Sequence, residues 1–109
     1  MKLKNDTINV HGLSNELLLG MMIINNVFVR NGVEPRITCL LDYKHSYHSE
    51  HYKGDAVDIG SKEFSTELKH KLLSEIQERI NCEYRIILEN EGGINEHYHF
   101  EYNPIYQSN

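Results

Sequence analysis

The chain has 109 residues, enough for one compact domain and too few for a second of ordinary size. Hydrophobic residues make up 39% and charged residues 25%, which excludes a disordered or fibrous chain. Sixteen acidic against eleven basic side chains leave a formal charge of −5, with no Lys/Arg run to offset it, so no nucleic-acid partner is expected. No membrane partner is expected either: the longest apolar stretch, Leu17–Ile24, is broken by Gly20 and falls well short of the ~20 residues of a spanning helix. The opening MKLKNDTINVHG turns polar at once and lacks the apolar stretch of a secretory signal. The expectation is a protein that stays in the cytoplasm until released.

In chain order, residues 7–11 alternate weakly and are expected as a short edge strand. Ser14 offers a helix N-cap, with Glu16 in the first turn where the dipole favours an anion. Leu17, Met21, Ile24 and Phe28 then mark one helical face, and Asn31-Gly32 ends it. Residues 36–42 read as a strand, 43–53 as a polar loop, and 54–60 as a second strand bounded by glycines. Ser65 caps the next helix, whose Phe64, Leu68, Leu72, Ile76 and Ile80 recur every fourth residue. Glu67–Lys71 and Glu75–Arg79 are expected as its supporting ion pairs, and Asn81 as its stop. Residues 83–89 and 97–102 form the last two strands. This order predicts a small α+β domain spanning 1–109, with two helices on a mostly antiparallel sheet. Cys39 and Cys82 are too few for a disulfide framework and form no C-x-x-C pair; each falls in or beside a strand and is expected as a small core residue.

Five of the seven histidines lie in two short windows: His45, His48 and His51, then His97 and His99. Scattered surface histidines would not bracket strand ends in this way. Strand alternation puts Gly54, Ala56 and Asp58 on one face, clear of bulk, and Val57 and Ile59 on the other, in the core. An aspartate in such a strand needs a partner, because a lone buried carboxylate is costly. In the last strand Tyr98, Phe100 and Tyr102 share the apolar face, and His97, His99 and Glu101 the opposite one. Two histidines and one aspartate leave one position open, as catalytic zinc sites do, and nitrogen with carboxylate donors suits zinc better than calcium or magnesium. His11 and His70 have no partner in sequence and are expected to be exposed.

The run Ser49–Asp58 satisfies S-x-H-x-x-G-x-A-x-D, and Glu96-His97-Tyr98-His99 satisfies E-x-x-H. Together they resemble the zinc D-Ala-D-Ala and L-Ala-D-Glu peptidases of bacteria and phages, whose fold is shared by the N-terminal signalling domain of Hedgehog proteins. Lys44-His45-Ser46 is closest to the phage and Hedgehog versions, and the resemblance runs from about Arg36 to Tyr102. It implies zinc ligands at His51, Asp58 and His99. It implies an acid/base glutamate at Glu96, with Glu89 the rival, because in a regular strand Glu96 would point away from His99 unless it lies in the loop or at a bulge. It implies supporting or oxyanion roles for His97 and His45.

Many bacterial members carry an arginine before the first motif. Here Cys39–Lys44 has none, and Lys44, His45 and Arg36 stand as alternatives. The implied activity is zinc-dependent hydrolysis of an amide bond in peptidoglycan stem peptides, in a phage or prophage setting where the protein reaches the wall on lysis. Lys44, Lys53 or Arg36 would supply the positive field for an anionic stem peptide. The alternatives are a non-catalytic, zinc-stabilised binding or virion module and a cytosolic dipeptidase of D-Ala-D-Ala.

Overall fold

The structure is a computed structural model that describes residues 1–3, 14–42 and 55–104. Its elements are β1 (Lys2–Leu3), α1 (Asn15–Arg30), β2 (Arg36–Asp42), β3 (Asp55–Gly60), α2 (Thr66–Arg79), β4 (Tyr84–Glu89) and β5 (His97–Tyr102). The sheet runs β1-β2-β3-β5-β4, antiparallel throughout except for the parallel β1–β2 pair. This is the expected small α+β architecture. The strand expected at 7–11 lies outside the described residues, as does the loop 43–53. The first strand described is Lys2–Leu3, paired with Arg36 and Ile37. Among the described residues no helix is long and apolar enough to cross a membrane.

Both helices start where the sequence puts their caps. Ser14 Oγ accepts the Leu17 amide at 3.0 Å, and Ser65 Oγ accepts the Leu68 amide at 3.1 Å. Leu17, Met21, Ile24 and Phe28 of α1 are buried, together with Val27 and Gly20. Leu72 and Ile76 of α2 are fully buried, while Phe64, Leu68 and Ile80 are partly buried at the core's edge. The charge pairing along α2 differs from expectation. Lys71 meets Glu75 at 3.9 Å, Glu75 also accepts Asn31 Nδ2 at 3.0 Å, and Arg79 donates to Asn26 Oδ1 at 3.2 Å. Glu75 and Arg79 are therefore drawn toward α1 and its C-terminal end, and tertiary partners outcompete weak i,i+4 pairs.

The sheet presents Ile37, Val57, Ile59, Ile86, Tyr98 and Phe100 to the helices in one buried cluster. Gly20 lets α1 approach closely: a Cβ there would stand 2.6 Å from Phe100 Cζ and 2.7 Å from Tyr84 Cε1. The cysteines depart from expectation. Cys39 is half-buried and Cys82 exposed. Cys82 belongs to the turn between α2 and β4, where the Asn81 side chain accepts the Glu83 amide at 2.8 Å, so it never reaches the core.

Alternation turns several polar residues, with Ile87 among them, to the other sheet face. Asp58 of β3 is paired with His99 of β5, and Gly60 with His97. On the far side of β5, Ile87 is paired with His99 and Glu89 with His97. Asp58, His99 and Ile87 thus form one row across three strands, and Gly60, His97 and Glu89 the next.

Candidate metal centre

Two carboxylates and two imidazoles converge on this open face. His99 Nδ1 lies 3.0 Å from Asp58 Oδ1 and 3.9 Å from Glu89 Oε1. His97 Nε2 lies 3.0 Å from Glu89 Oε1 and 3.7 Å from Asp58 Oδ1. One donor atom each from Asp58, Glu89 and His99 falls within 4.8 Å of the others. Cross-strand register produces this: three neighbouring strands each contribute a short polar side chain to the same two rows.

Each imidazole is oriented from behind. His99 Nε2 is 2.8 Å from Oε1 of Glu101, a carboxylate only 3% exposed. His97 Nδ1 donates to the Asn95 carbonyl at 2.6 Å, so Nε2 is the nitrogen that faces the cluster. Histidine ligands of metals are commonly held in this way, by a carboxylate or a backbone carbonyl on the far nitrogen. With carboxylates on both nitrogens, the His99 ring holds its proton more tightly than usual. Its pKa is raised to about 9, by the Asp58 hydrogen bond first and the Glu101 hydrogen bond second, against the opposing effect of burial.

Glu96 is engaged elsewhere. It lies in the loop just before β5, and its side chain turns toward α2. Oε1 accepts from Lys69 Nζ at 2.8 Å and from the Gly92 amide at 3.0 Å, and Oε2 accepts from Ser61 Oγ at 2.5 Å. These hydrogen bonds, Lys69 foremost, lower its pKa to about 2. The E-x-x-H pattern gives a spacing but not a direction, and strand alternation decides the direction. Glu96 shares the side of Tyr98, whose hydroxyl donates to the Lys69 carbonyl at 2.7 Å. Glu89 occupies the face that Glu96 leaves.

Of the sequence-derived candidates, Asp58, His97 and His99 come together, Glu96 stands apart, and His45 and His51 lie outside the described residues, as do His48 and His11. His70 is exposed as expected but has a partner, with Nε2 2.7 Å from Glu91 Oε2 across the α2–loop boundary. Sequence alternation put Glu101 on the histidine face without giving it a task. Its backing of His99 depends on ring orientation, which no spacing reveals.

Asp58 and His97 also line a cleft of about 420 Å³, together with Arg36, Thr38, Lys62 and Glu96. The donor set fits zinc. It consists of nitrogen and carboxylate oxygen, half-buried, with one imidazole fixed by a buried carboxylate. Comparison of the chain with family models, with curated proteins and with solved structures returns no match.

Proposed function

We propose that this protein is a zinc-dependent peptidase acting on an amide bond of bacterial cell-wall stem peptides. The observation that carries the reading is the convergence of Asp58, Glu89 and His99, with Glu101 behind the imidazole, which joins the last residue of one sequence motif to the last residue of the other. Asp58 and His99 would hold the metal together with His51 of the S-x-H-x-x-G-x-A-x-D run. Zinc bound there would supply Lewis acidity toward a carbonyl and make water more acidic.

The chain's own residues account for the remaining chemistry. Glu89 is the proton carrier in this reading. Its Oε1 is close to both imidazoles, and its side chain is 41% exposed and so open to water and substrate. It takes a proton from attacking water and returns it to the leaving amine. The Glu89 carboxylate suits that task better than Glu96, whose two oxygens are already held by Lys69, Gly92 and Ser61. His97, fixed by the Asn95 carbonyl, turns Nε2 to the same point and in its protonated form would hold negative charge growing on the carbonyl oxygen.

One observation favours a second reading. His97 Nε2 is as close to Glu89 as His99 is to Asp58, so His97 could add a fourth protein donor. A site closed by four side chains stabilises a fold and does not catalyse. Digestion of purified murein by zinc-loaded protein, followed by mass spectrometry, separates the two. The peptidase reading expects new termini on stem peptides and intact sugar chains. Intact stem peptides with zinc retained would leave the zinc-stabilised module as the account.

A further inference from the structure

We infer that the outer face of α1 is a self-association surface, on which a second copy of this chain packs its own α1 antiparallel across a two-fold axis. The two helices differ on their outer sides. Residues of α2 that face water, such as Glu67, His70, Lys71 and Glu78, are polar, as a surface helix requires. α1 buries Leu17, Met21, Ile24 and Phe28 in the core and still leaves Leu18, Leu19, Met22 and Val29 between 42% and 66% exposed. A helix that is apolar on both sides is ordinarily covered on both.

The exposed residues are spaced for another helix. Leu19, Met22, Asn26 and Val29 follow one another at steps of three, four and three, the seam of a coiled coil. Glu16, Ile23 and Arg30 recur every seven residues along one flank of that seam. In an antiparallel pair related by a two-fold axis, this flank meets its own copy. Glu16 then faces Arg30 of the second copy at each end, and Ile23 faces Ile23 in the middle. Among the described residues neither Glu16 nor Arg30 has an ion-pair partner within the protomer. A parallel pair would set the same flank against the opposite one, that of Leu18 and Asn25, and leave both charges unmatched. Antiparallel packing also places the positive end of each helix dipole beside the negative end of the other. Charge complementarity therefore selects both the occupant and its direction.

The seam is suited to being covered. Asn26, the polar member of the four, has Oδ1 held by Arg79 at 3.2 Å, so its carbonyl keeps a partner when water leaves. Leu19, Met22, Ile23, Asn26 and Arg79 border an open hollow of about 410 Å³. Met22 of the second copy, unbranched and adaptable, fits such a hollow. The pairing leaves the metal face of each sheet free, because α1 lies on the opposite side.

Sedimentation equilibrium tests this over about 1 µM to 1 mM protein, under reducing conditions that keep the exposed Cys82 from cross-linking. The wild-type chain should pass from monomer to dimer within that range. Met22→Glu, in the seam and exposed in the monomer, should stay monomeric with circular dichroism unchanged. Glu16→Lys and Arg30→Glu should each weaken the dimer about tenfold, and the two exchanges combined should recover most of the loss. Helix stability alone would not give that recovery, since each exchange opposes the dipole of its own helix. A wild-type chain that stays monomeric to the top of the range, a dimer that survives Met22→Glu, or a double exchange no tighter than its singles would overturn the inference.

Discussion

Lys69 and the Gly92 amide hold one oxygen of Glu96, and Ser61 holds the other, which ties the loop before β5 to α2 and to the end of β3. Because its folded pKa, about 2, lies below the usual value of 4.5, Glu96 contributes stability that is present above pH 4.5 and is lost as pH falls toward 2. Urea unfolding between pH 2 and pH 6 should show this loss in the wild-type protein, and Glu96→Gln should be less stable near neutrality and flatter across the window. An unchanged acid limb in Glu96→Gln would remove Glu96 from that role. Glu89→Gln should behave differently, keeping zinc and stability while lowering peptide hydrolysis by about 10²–10⁴-fold, the usual contribution of a general base. If Glu96→Gln gives that loss with its stability intact and Glu89→Gln does not, the assignment reverses. Glu101 carries a third expectation. Glu101→Ala removes the carboxylate behind His99 and should weaken zinc binding by about 10–100-fold in a competition titration, since loss of such a backing group typically costs that much. Unaltered affinity would mean that His99 is held by other contacts.

Helix stripes and strand alternation were legible because they are periodic. The α1 and α2 cores, both serine caps and the division of β5 into an aromatic face and an imidazole face follow from spacing alone. What spacing could not show depends on contacts between elements. Lys2–Leu3 is too short to leave a pattern, and its pairing is visible only beside β2. The placement of Arg36 over Gly60 depends on the β2–β3 register, which shifts between Ile37 and Cys39. For Glu96, alternation and motif pointed in opposite directions, and the side chain followed alternation except that its partners come from α2 and the neighbouring loops. Gly20 gives a test of the α1–sheet interface. Gly20→Ala should destabilise the protein by about 1–3 kcal/mol through overpacking, despite the better helix propensity of alanine, because the new methyl meets the stacked rings of Phe100 and Tyr84. A stabilised variant in urea denaturation would show that the interface yields at little cost.

At the scale of the whole molecule, the helices pack on one face of the sheet, and among the described residues the metal-centre side chains gather on the other. Asp58, Glu89 and Glu101 crowd negative charge around two imidazoles in a chain already at −5. A divalent cation held there would neutralise that crowding, and its binding energy would then add to folding energy in a domain of this size. The most direct test of the account is the metal content of purified protein, determined by elemental mass spectrometry for the wild-type chain and for His99→Ala. We predict about one zinc per chain in the wild-type protein and little or none in His99→Ala. A wild-type protein that takes up no zinc, or a His99→Ala variant that keeps its full complement, would contradict a zinc centre built on Asp58 and His99.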